Sequence, residues 1–462
     1  MYYFHTNQHQ ILSDIHSPVE LYLKLRDKFS LSFLLESSDY KSKENSFSYL
    51  CLESIASFVV ERQTISITYP NQNQEKLETS QTDIKTALQH FIQTFKSEDL
   101  GYKFYTNGLF GYTSYDAIPL FEAIQFRHQS FDLPLLQYHL FRYVLVFNHF
   151  NNELFIFEHL LAEETSRIQE ILAMIKHRAV SSFSFDTTEE EIGNYSERDF
   201  LEKIDIAKKH CQRGDVFQVV LSRKFSQKFK GDEFNVYRAL RSINPSPYLF
   251  YFDYGNFKIF GSSPEAQLQI KEQKAYINPI AGTFRRTGDT QKDAELALLL
   301  SEDAKETAEH IMLVDLARND LSKKGKNIRV ERFKQVEYYS HVIHLVSQVS
   351  ADLEDNYSPI EILANTYPAG TLSGAPKHRA MQIIDEQENT HRGFYGGTVG
   401  ILGLDGSINQ AIFIRSFLSQ QYTLSYQAGC GIVVKSDTQS ELNEINNKLS
   451  ALRKAILLAK NI

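Results

Sequence analysis

Residues 427–448 read QAGCGIVVKSDTQSELNEINNK, the stretch that says most about how this chain folds. It predicts a glycine-bearing turn, a short apolar strand, a polar connection and then a helix. In that helix Glu441, Glu444 and Lys448 are three and four residues apart, so they share one face. The simplest interpretation is a solvated helix surface with salt bridges. The alternative is a site that holds a cation beside an anion.

The composition is that of a soluble globular protein. Of 462 residues, 42% are apolar and 23% are charged, and the length allows two or three domains. The net charge of −8 argues against nucleic acid as a partner. No secretory signal and no membrane-spanning run are found in the sequence, and the three cysteines are odd in number and far apart. We therefore expect no membrane partner, no disulfide framework and a cytoplasmic protein.

Two regions of different character are separated by an acidic connection, DTTEEEIGNYSERD at 186–199. Before it, apolar strands follow one another with few helices between them, which favours an antiparallel sheet. After it, a capping box at Ser196 predicts a helix over 197–213, and the stretch 291–321 predicts one long helix. The predicted division is 1–185 and 195–462.

Paired carboxylates mark two separate helices. Glu306 and Glu309 are three residues apart, as are Glu441 and Glu444. Four carboxylates without a matching set of histidines or cysteines favour a hard cation, and Mg²⁺ is the expected ion. The sequence does not show that the pairs face each other, and if they do not, both are ordinary surface charge.

Backbone amides flanked by glycine could bind an anion next to such an ion, because a missing Cβ permits close approach. The candidates are Gly282, Thr283, Thr371, Gly429 and Gly431.

Three further side chains have two interpretations each. Arg415 lies in an apolar segment that predicts a strand, and it either binds an anion or forms an internal salt bridge. His344, in HVIHLVS, is either a functional or a core histidine. Cys430 is interpreted as a small apolar filler rather than a nucleophile.

Taken together, these stretches resemble the chorismate-utilising enzymes. The shared segments cover about 195–462 and are PIAGT, LSEDAKETAEHIMLVDLARNDL, HVIHLVS, GTLSGAPK, RGFYGGTVG, IFIRS, QAGCGIV and QSELNEINNK. NGLFGYTSYD and SFLLESS extend the resemblance into the first region. It implies an α+β fold, with antiparallel β-sheets packed as a sandwich flanked by helices. It also implies that 1–185 is interleaved with a catalytic domain at 195–462.

Within this family, three positions resemble the large subunits of the anthranilate synthases. Gln218 stands where water-adding members carry a lysine base, and Ala281 stands where many aminodeoxychorismate synthases carry a nucleophilic lysine. LLES (34–37) with NPSPY (244–248) resembles a tryptophan-binding pair of segments. The implied activity makes anthranilate and pyruvate from chorismate and ammonia, as the first step of tryptophan biosynthesis. The alternatives are an aminodeoxychorismate synthase and a non-catalytic regulatory homologue.

The resemblance implies a role for each candidate residue. Glu309 and Glu444 would hold Mg²⁺ directly, with Glu306 and Glu441 acting through waters. Glu265 would be the general acid, with a pKa raised by burial, and His344 would position groups and manage protons near the leaving group. Substrate contacts would come from Gly282, Thr283, Thr371, Tyr395, Arg415, Gly429, Gly431 and Lys448.

The same resemblance implies partners. L-Tryptophan as feedback inhibitor would bind Glu36, Ser37, Pro245, Ser246, Pro247 and Tyr248. Ammonia would come from glutamine through a separate amidotransferase subunit, component II. Two departures from the family pattern stand out: AGTFRRTGD at 281–289 and Cys430 in place of the usual alanine.

Overall fold

The structure is a computed structural model that describes residues 1–37, 46–128, 133–177, 179–338 and 342–462, without the side chains of Thr283 and Lys305. The strands are β1 (Tyr2–Leu12), β2 (Ser32–Glu36), β3 (Phe47–Val60), β4 (Thr64–Thr68), β5 (Gln74–Glu78), β6 (Phe95–Ser97), β7 (Leu109–Thr113), β8 (Leu136–Asn148), β9 (Glu153–Leu160), β10 (Phe185–Thr187), β11 (Ile192–Gly193), β12 (Gln218–Gly231), β13 (Tyr248–Asp253), β14 (Phe257–Ser263), β15 (Ala266–Lys271), β16 (Lys274–Ile277), β17 (Ile280–Arg285), β18 (Lys326–Tyr338), β19 (Val342–Asp352), β20 (Gly374–Ala375), β21 (Thr398–Leu402), β22 (Ile408–Ile412), β23 (Ser416–Gln420) and β24 (Thr423–Ile432). The helices are α1 (Pro18–Leu25), α2 (Ile84–Gln93), α3 (Ile168–Lys176), α4 (Glu197–Gln212), α5 (Phe234–Ile243), α6 (Thr290–Glu302), α7 (Ala304–Ser322), α8 (Pro359–Thr366), α9 (Gly370–Ser373), α10 (Lys377–Gln387) and α11 (Thr438–Ala459).

Two antiparallel sheets carry the fold. The first runs β2–β13–β14–β23–β24–β12, and the second runs β7–β21–β22–β15–β16–β19, with β17 and β18 also paired to β19. The long strands β3 and β8 pair with each other, β3 with β2 and β8 with β7, so they join the two sheets.

Three apolar cores hold this arrangement. An aromatic core with Phe33, Phe110, Phe250 and Phe413 contains residues of both sheets and fills the space between them. A second core packs the outer face of the first sheet against α1, α3, α4, α5 and α11, and a third packs the other sheet against α2, α7 and α8. Large apolar surfaces buried on both sides of each sheet drive this layering. The predicted α+β sandwich flanked by helices is confirmed.

Local signals in the sequence correctly place several element ends. Ser196 caps α4 by accepting a hydrogen bond from the backbone N–H of Asp199, and Ser17 caps α1 through a capping box. The hairpin between β8 and β9 turns at Asn151 and Asn152.

The single long helix predicted over 291–321 is wrong. The structure divides it at Asp303, whose backbone is extended, into α6 and α7. The Asp303 carboxylate accepts a hydrogen bond of 2.9 Å from the N–H of Glu306 and thereby begins a new helix. The break gives α7, which carries Glu306 and Glu309, its own direction.

The acidic connection at 186–199 is not a free linker. Its strands β10 and β11 pair with β12, while β2 and β7 of the first region pair with β13 and β21 of the second. Strands from both predicted regions thus share sheets, and the division at 185–195 stays a prediction. Cys51, Cys211 and Cys430 are buried free thiols. Across the described ranges, no helix is long and apolar enough to span a membrane.

Candidate active site

The site is built on the neighbouring strands β12 and β24, where Val220 pairs with Gly431 and Ser222 with Gly429. Both glycines leave room for neighbouring side chains. A Cβ at Gly429 would lie 2.8 Å from the hydroxyl of Tyr395, and one at Gly431 would lie 2.4 Å from Nε2 of Gln218. Both distances are too short for a side chain, so these glycines bring Tyr395 and Gln218 against the sheet.

Helix α11 brings Lys448 and Glu444 to the same strand. Lys448 Nζ donates a hydrogen bond of 2.9 Å to the carbonyl oxygen of Gly429 and lies 2.6 Å from Glu444 Oε1. Burial acts to lower the pKa of Lys448, but the charge and hydrogen bond of Glu444, together with Tyr395 and Cys430, outweigh it and the pKa is raised. The Lys448 side chain is still 46% exposed, so it lines an open cleft deep in the protein.

Glu265 occupies the short connection between β14 and β15. Thr371 Oγ1, from α9, donates a hydrogen bond of 3.1 Å to Glu265 Oε1. Burial raises the pKa of Glu265 to about 7, although Thr371, Lys448 and Arg415 oppose the shift. The carboxyl group can therefore carry a proton at neutral pH, as a general acid must.

Arg415 does not lie in a strand, and this prediction from the sequence is wrong. It stands between β22 and β23 with a φ of +51°, a left-handed backbone that ends one strand and redirects the chain into the next. The carbonyl oxygen of Arg415 accepts a hydrogen bond from the N–H of Ser262, which holds the turn. Burial lowers the pKa of Arg415, and Glu265 is the charge that opposes this shift.

His344, on β19, faces the segment of β17 that was predicted to contact substrate. Its Nδ1 lies 3.1 Å from the carbonyl oxygen of Gly282, and burial lowers its pKa to about 4. The ring is therefore neutral at pH 7. Because Nδ1 faces an acceptor it carries the proton, which makes Nε2 the basic nitrogen. Thr283 pairs with His344 in the sheet, and the Thr283 side chain lies outside the described residues.

The four predicted metal carboxylates lie on two helices, α7 and α11, and each contacts a residue on or near the sheets of the site. Gly282 has a φ of +68°, and a Cβ there would lie 3.2 Å from Glu306 Oε2. Gln218 Nε2 donates a hydrogen bond of 3.0 Å to Glu309 Oε1. From α11, the charges of Glu441 and Glu444 both reach the thiol of Cys430 on β24 and, after burial, contribute to its raised pKa.

These carboxylates are not gathered into a preformed metal site. Within the described part of the chain, no group of three or more His, Cys, Asp or Glu side chains is placed to hold a metal ion. Glu309 is engaged by Gln218 and Glu444 by Lys448. The donor chemistry, carboxylate oxygen alone, is that of a Mg²⁺ site.

Arg392 is a structural residue of the site that the sequence analysis did not single out. It is buried, forms two hydrogen bonds to Glu388, and donates to the carbonyl oxygens of Leu372 and Val220. Arg392 thus ties α9, which carries Thr371, to β12. Helix α10 ends at Gln387, before both residues, so no helical spacing could have indicated this pair.

The two segments predicted to bind tryptophan are adjacent. Strand β2 pairs with β13, so that Glu36 lies opposite Leu249, next to the NPSPY segment. Glu36 is buried and already accepts hydrogen bonds from Tyr237, at 2.6 Å, and from Arg241, at 2.8 Å. Tyr248 bonds to Asn409 and Gln269. The other predicted members of this set, Ser37, Pro245, Ser246 and Pro247, lie at the ends of the two paired strands.

Comparison with known proteins identifies the class. A family model described as chorismate binding enzyme matches residues 33–454. The chain belongs to this family, as the resemblance in its motifs predicted.

Individual relatives narrow the comparison. The chain is 36% identical to anthranilate synthase component 1 of Aquifex aeolicus over 98% of its own length and 94% of that protein. It is 34% identical to the protein of the same name from Bacillus subtilis, over 97% and 91%. Among solved structures, anthranilate synthase component I from Streptococcus pneumoniae superimposes with a TM-score of 0.79 at 30% identity, covering 97% of this chain and all of that one. The isochorismate synthase MenF of Escherichia coli shares the fold, with a TM-score of 0.74 at 19% identity over 98% and 95%.

Proposed function

We propose that this chain is the synthase subunit of an anthranilate synthase, which converts chorismate and ammonia to anthranilate, pyruvate and water. The observation that carries the proposal is the protonatable Glu265, held by Thr371 in a cleft that also contains Lys448 and Arg415. A carboxylic acid set among cations suits a dianionic substrate with a hydroxyl group that must leave as water.

The first step is amination of the ring. Ammonia attacks the ring carbon next to the carboxylate-bearing carbon, both conjugated ring double bonds shift by one position, and the hydroxyl at the far end of the diene departs as water with a proton from Glu265. Lys448 with the amides of Gly429 and Gly431 would hold one carboxylate of the substrate, and Arg415 with Tyr395 the other. Thr371, which orients Glu265, would contact the ring side, while Gly282 and Thr283 would border the substrate.

The second step is elimination. The ring loses a proton, the bond to the enolpyruvyl oxygen breaks, and pyruvate leaves as the ring becomes aromatic. His344 has a neutral ring with a basic Nε2, which suits positioning and proton transfer near the leaving group.

Mg²⁺ is the proposed cofactor. Glu309 and Glu444, with Glu306 and Glu441 behind them, would hold the ion, which when bound neutralises the substrate carboxylate on the ring. Two of these carboxylates would have to release the intramolecular donors Gln218 and Lys448.

The choice of ammonia over water is supported by Gln218. An amide cannot act as the base that activates water, and here it donates to Glu309. Ala281, buried on β17, offers no amine for a covalent adduct.

The remaining parts of the proposal concern regulation and supply. A separate amidotransferase subunit would provide ammonia from glutamine, L-tryptophan would inhibit at the segments around Glu36 and Tyr248, and the protein would work in the cytosol.

The purified chain tests the activity directly. With chorismate, Mg²⁺ and ammonium it should form fluorescent anthranilate and pyruvate in equal amounts. An amino-chorismate that needs a separate lyase to release pyruvate would make it an aminodeoxychorismate synthase, and no consumption of chorismate would leave a regulatory homologue.

A further inference from the structure

A second cavity, here called the rear cavity, lies behind the candidate active site. On β24 it is lined by Gln427 and Ser425, which follow Gly431 and Gly429 at every second residue and so share their face of the sheet. Its volume is about 70 Å³, and the space is partly open to solvent. Tyr395 lines this cavity, and its hydroxyl also lies against Gly429 of the candidate active site.

A lysine side chain without a hydrogen-bond acceptor among the described residues lines this cavity. Lys224, on β12, is mostly enclosed by protein, and none of the described residues accepts a hydrogen bond from its ammonium group. Burial lowers the pKa of Lys224, while Asp116 and then Glu388 oppose the shift. A desolvated ammonium group without an acceptor favours an incoming anion.

The other charged groups around the cavity are already engaged. Asp116 Oδ2 lies 3.2 Å from His391 Nδ1 and accepts a hydrogen bond of 3.2 Å from the N–H of Gly393. Glu388 accepts from Arg392 and from Ser222. The carboxylates are therefore satisfied, and Lys224 is the charge that still needs a partner.

A buried hydroxyl offers a second point of attachment. Ser114 lines the cavity and is 4% exposed, and its Oγ has no hydrogen-bond partner among the described residues. Buried hydroxyl groups are normally paired, so an unpaired one in a cavity wall indicates a missing ligand or water.

Part of the remaining wall is apolar, beside the polar Ser416, Ser425 and Gln427. The apolar side chains involved are Leu133, Leu135, Phe394, Phe413, Phe417 and Leu418. The ammonium group of Lys224 and the unpaired hydroxyl of Ser114, beside aliphatic and aromatic side chains, suit a ligand with a single negative group on an apolar body. A dianion would leave charge uncompensated, and a cation would be repelled by Lys224.

We propose that the rear cavity is a second binding site, which takes a small monocarboxylate with an aromatic or similar apolar body. The carboxylate pairs with Lys224, Ser114 supplies a further hydrogen bond within the cavity, and the body packs on the leucine and phenylalanine side chains. This site is additional to the proposed function, because apart from Tyr395 none of the residues assigned to chorismate lines it.

Benzoate is the probe, with neutral benzamide as its matched control, and binding to the full chain is measured by calorimetry and saturation-transfer NMR. We expect benzoate to bind at least about tenfold more tightly than benzamide. Lys224→Met should weaken benzoate about tenfold or more and leave benzamide within about twofold. Lys228→Met is the matched control variant, since Lys228 is an exposed lysine on the same strand paired with Glu189, and it should change neither.

Leu135→Trp, which fills the cavity, should abolish binding of both compounds. Its melting temperature should stay close to that of the parent chain, which shows that the variant is folded. It also replaces the lysine variant should Lys224→Met fail to fold. The proposal is overturned if benzoate shows no saturable binding, or if both Lys224→Met and Leu135→Trp still bind it. It is also overturned if chorismate displaces benzoate and Lys448→Met no longer binds benzoate. None of these measurements needs turnover, so they test the rear cavity even if the proposed enzymatic activity is not found.

Discussion

Thr371 Oγ1 lies 3.1 Å from Glu265 Oε1 and donates a hydrogen bond to it, which joins the short helix α9 to the connection between β14 and β15. This contact stabilises the ionised carboxylate, whereas burial favours the neutral acid. The effect of burial is the larger of the two, so the pKa of Glu265 is raised. The balance between them sets the pH at which Glu265 can give up a proton.

Replacing Glu265 by Gln should lower kcat about 10²- to 10⁴-fold, because the departing hydroxyl loses its proton donor. In the parent chain, kcat/KM at a fixed concentration of free ammonia should fall as the pH rises past about 7, where the free enzyme's acid is lost. Anthranilate fluorescence measures both effects. A variant with unchanged turnover would remove Glu265 from the mechanism.

Thr371→Val should raise the pH at which kcat/KM begins to fall. Removing the hydroxyl takes away a hydrogen bond that lowers the pKa of Glu265, so the acid form persists to higher pH. The same profile, recorded with Thr371→Ser as the control that keeps the hydroxyl, checks this. A limb displaced to lower pH in the valine variant would contradict the assignment.

Glu309→Gln should reduce turnover by about 100-fold or more and raise the Mg²⁺ concentration needed for half-maximal rate, because a proposed ligand loses its charge. Chelation of divalent ions should abolish the activity of the parent chain. Glu302→Gln, at the end of the preceding helix α6, is a matched control and should behave like the parent. Equal Mg²⁺ dependence in Glu309→Gln and the parent would disprove the metal assignment.

Ser37→Phe should relieve inhibition by L-tryptophan, since a bulky ring at the end of β2 would fill the proposed pocket beside Tyr248. We expect the concentration for half-inhibition to rise at least about tenfold. Initial rates with and without L-tryptophan give the answer, and calorimetry shows whether tryptophan binding is lost as well. Full inhibition of the variant at the parental concentration would refute this placement.

Arg392→Met should destabilise the protein by about 3–5 kcal/mol, because the buried Glu388 carboxylate would lose the charge that pairs with it. Adding Glu388→Gln should restore at least half of that loss, since the amide oxygen can still accept from Ser222. Urea unfolding of the two variants provides the test. If the double variant were the less stable of the two, the loss would not come from an unpaired carboxylate.

Local signals made part of this structure predictable. Ser196 caps its helix as its neighbours in sequence predicted. The spacing of the two glutamate pairs correctly placed each pair on a helix but left open whether they act together. Arg415 and Asp303 show where such reasoning fails. An apolar run predicts a strand through Arg415, but a left-handed turn there is set by packing against Gly261 and Ser262, which no periodicity reports.

The grouping of site residues could not be derived from spacing either. Gln218 on β12 meets Glu309 on α7, and Gly282 on β17 lies next to Glu306 on α7, although the residues of each pair are far apart in sequence. These are tertiary contacts, and the resemblance to a family supplied what local physics did not.

The interleaving of the sheets has a consequence for synthesis of the chain. Gln427 bonds to Ser222 across 205 residues, and Tyr237 bonds to Glu36 across 201. Early strands therefore leave the ribosome long before their partners exist, with apolar faces and open edges exposed to solvent. At translation speeds of about 5–20 residues per second that interval is on the order of 10–40 s. During that time, chaperones rather than native contacts would have to protect the nascent chain.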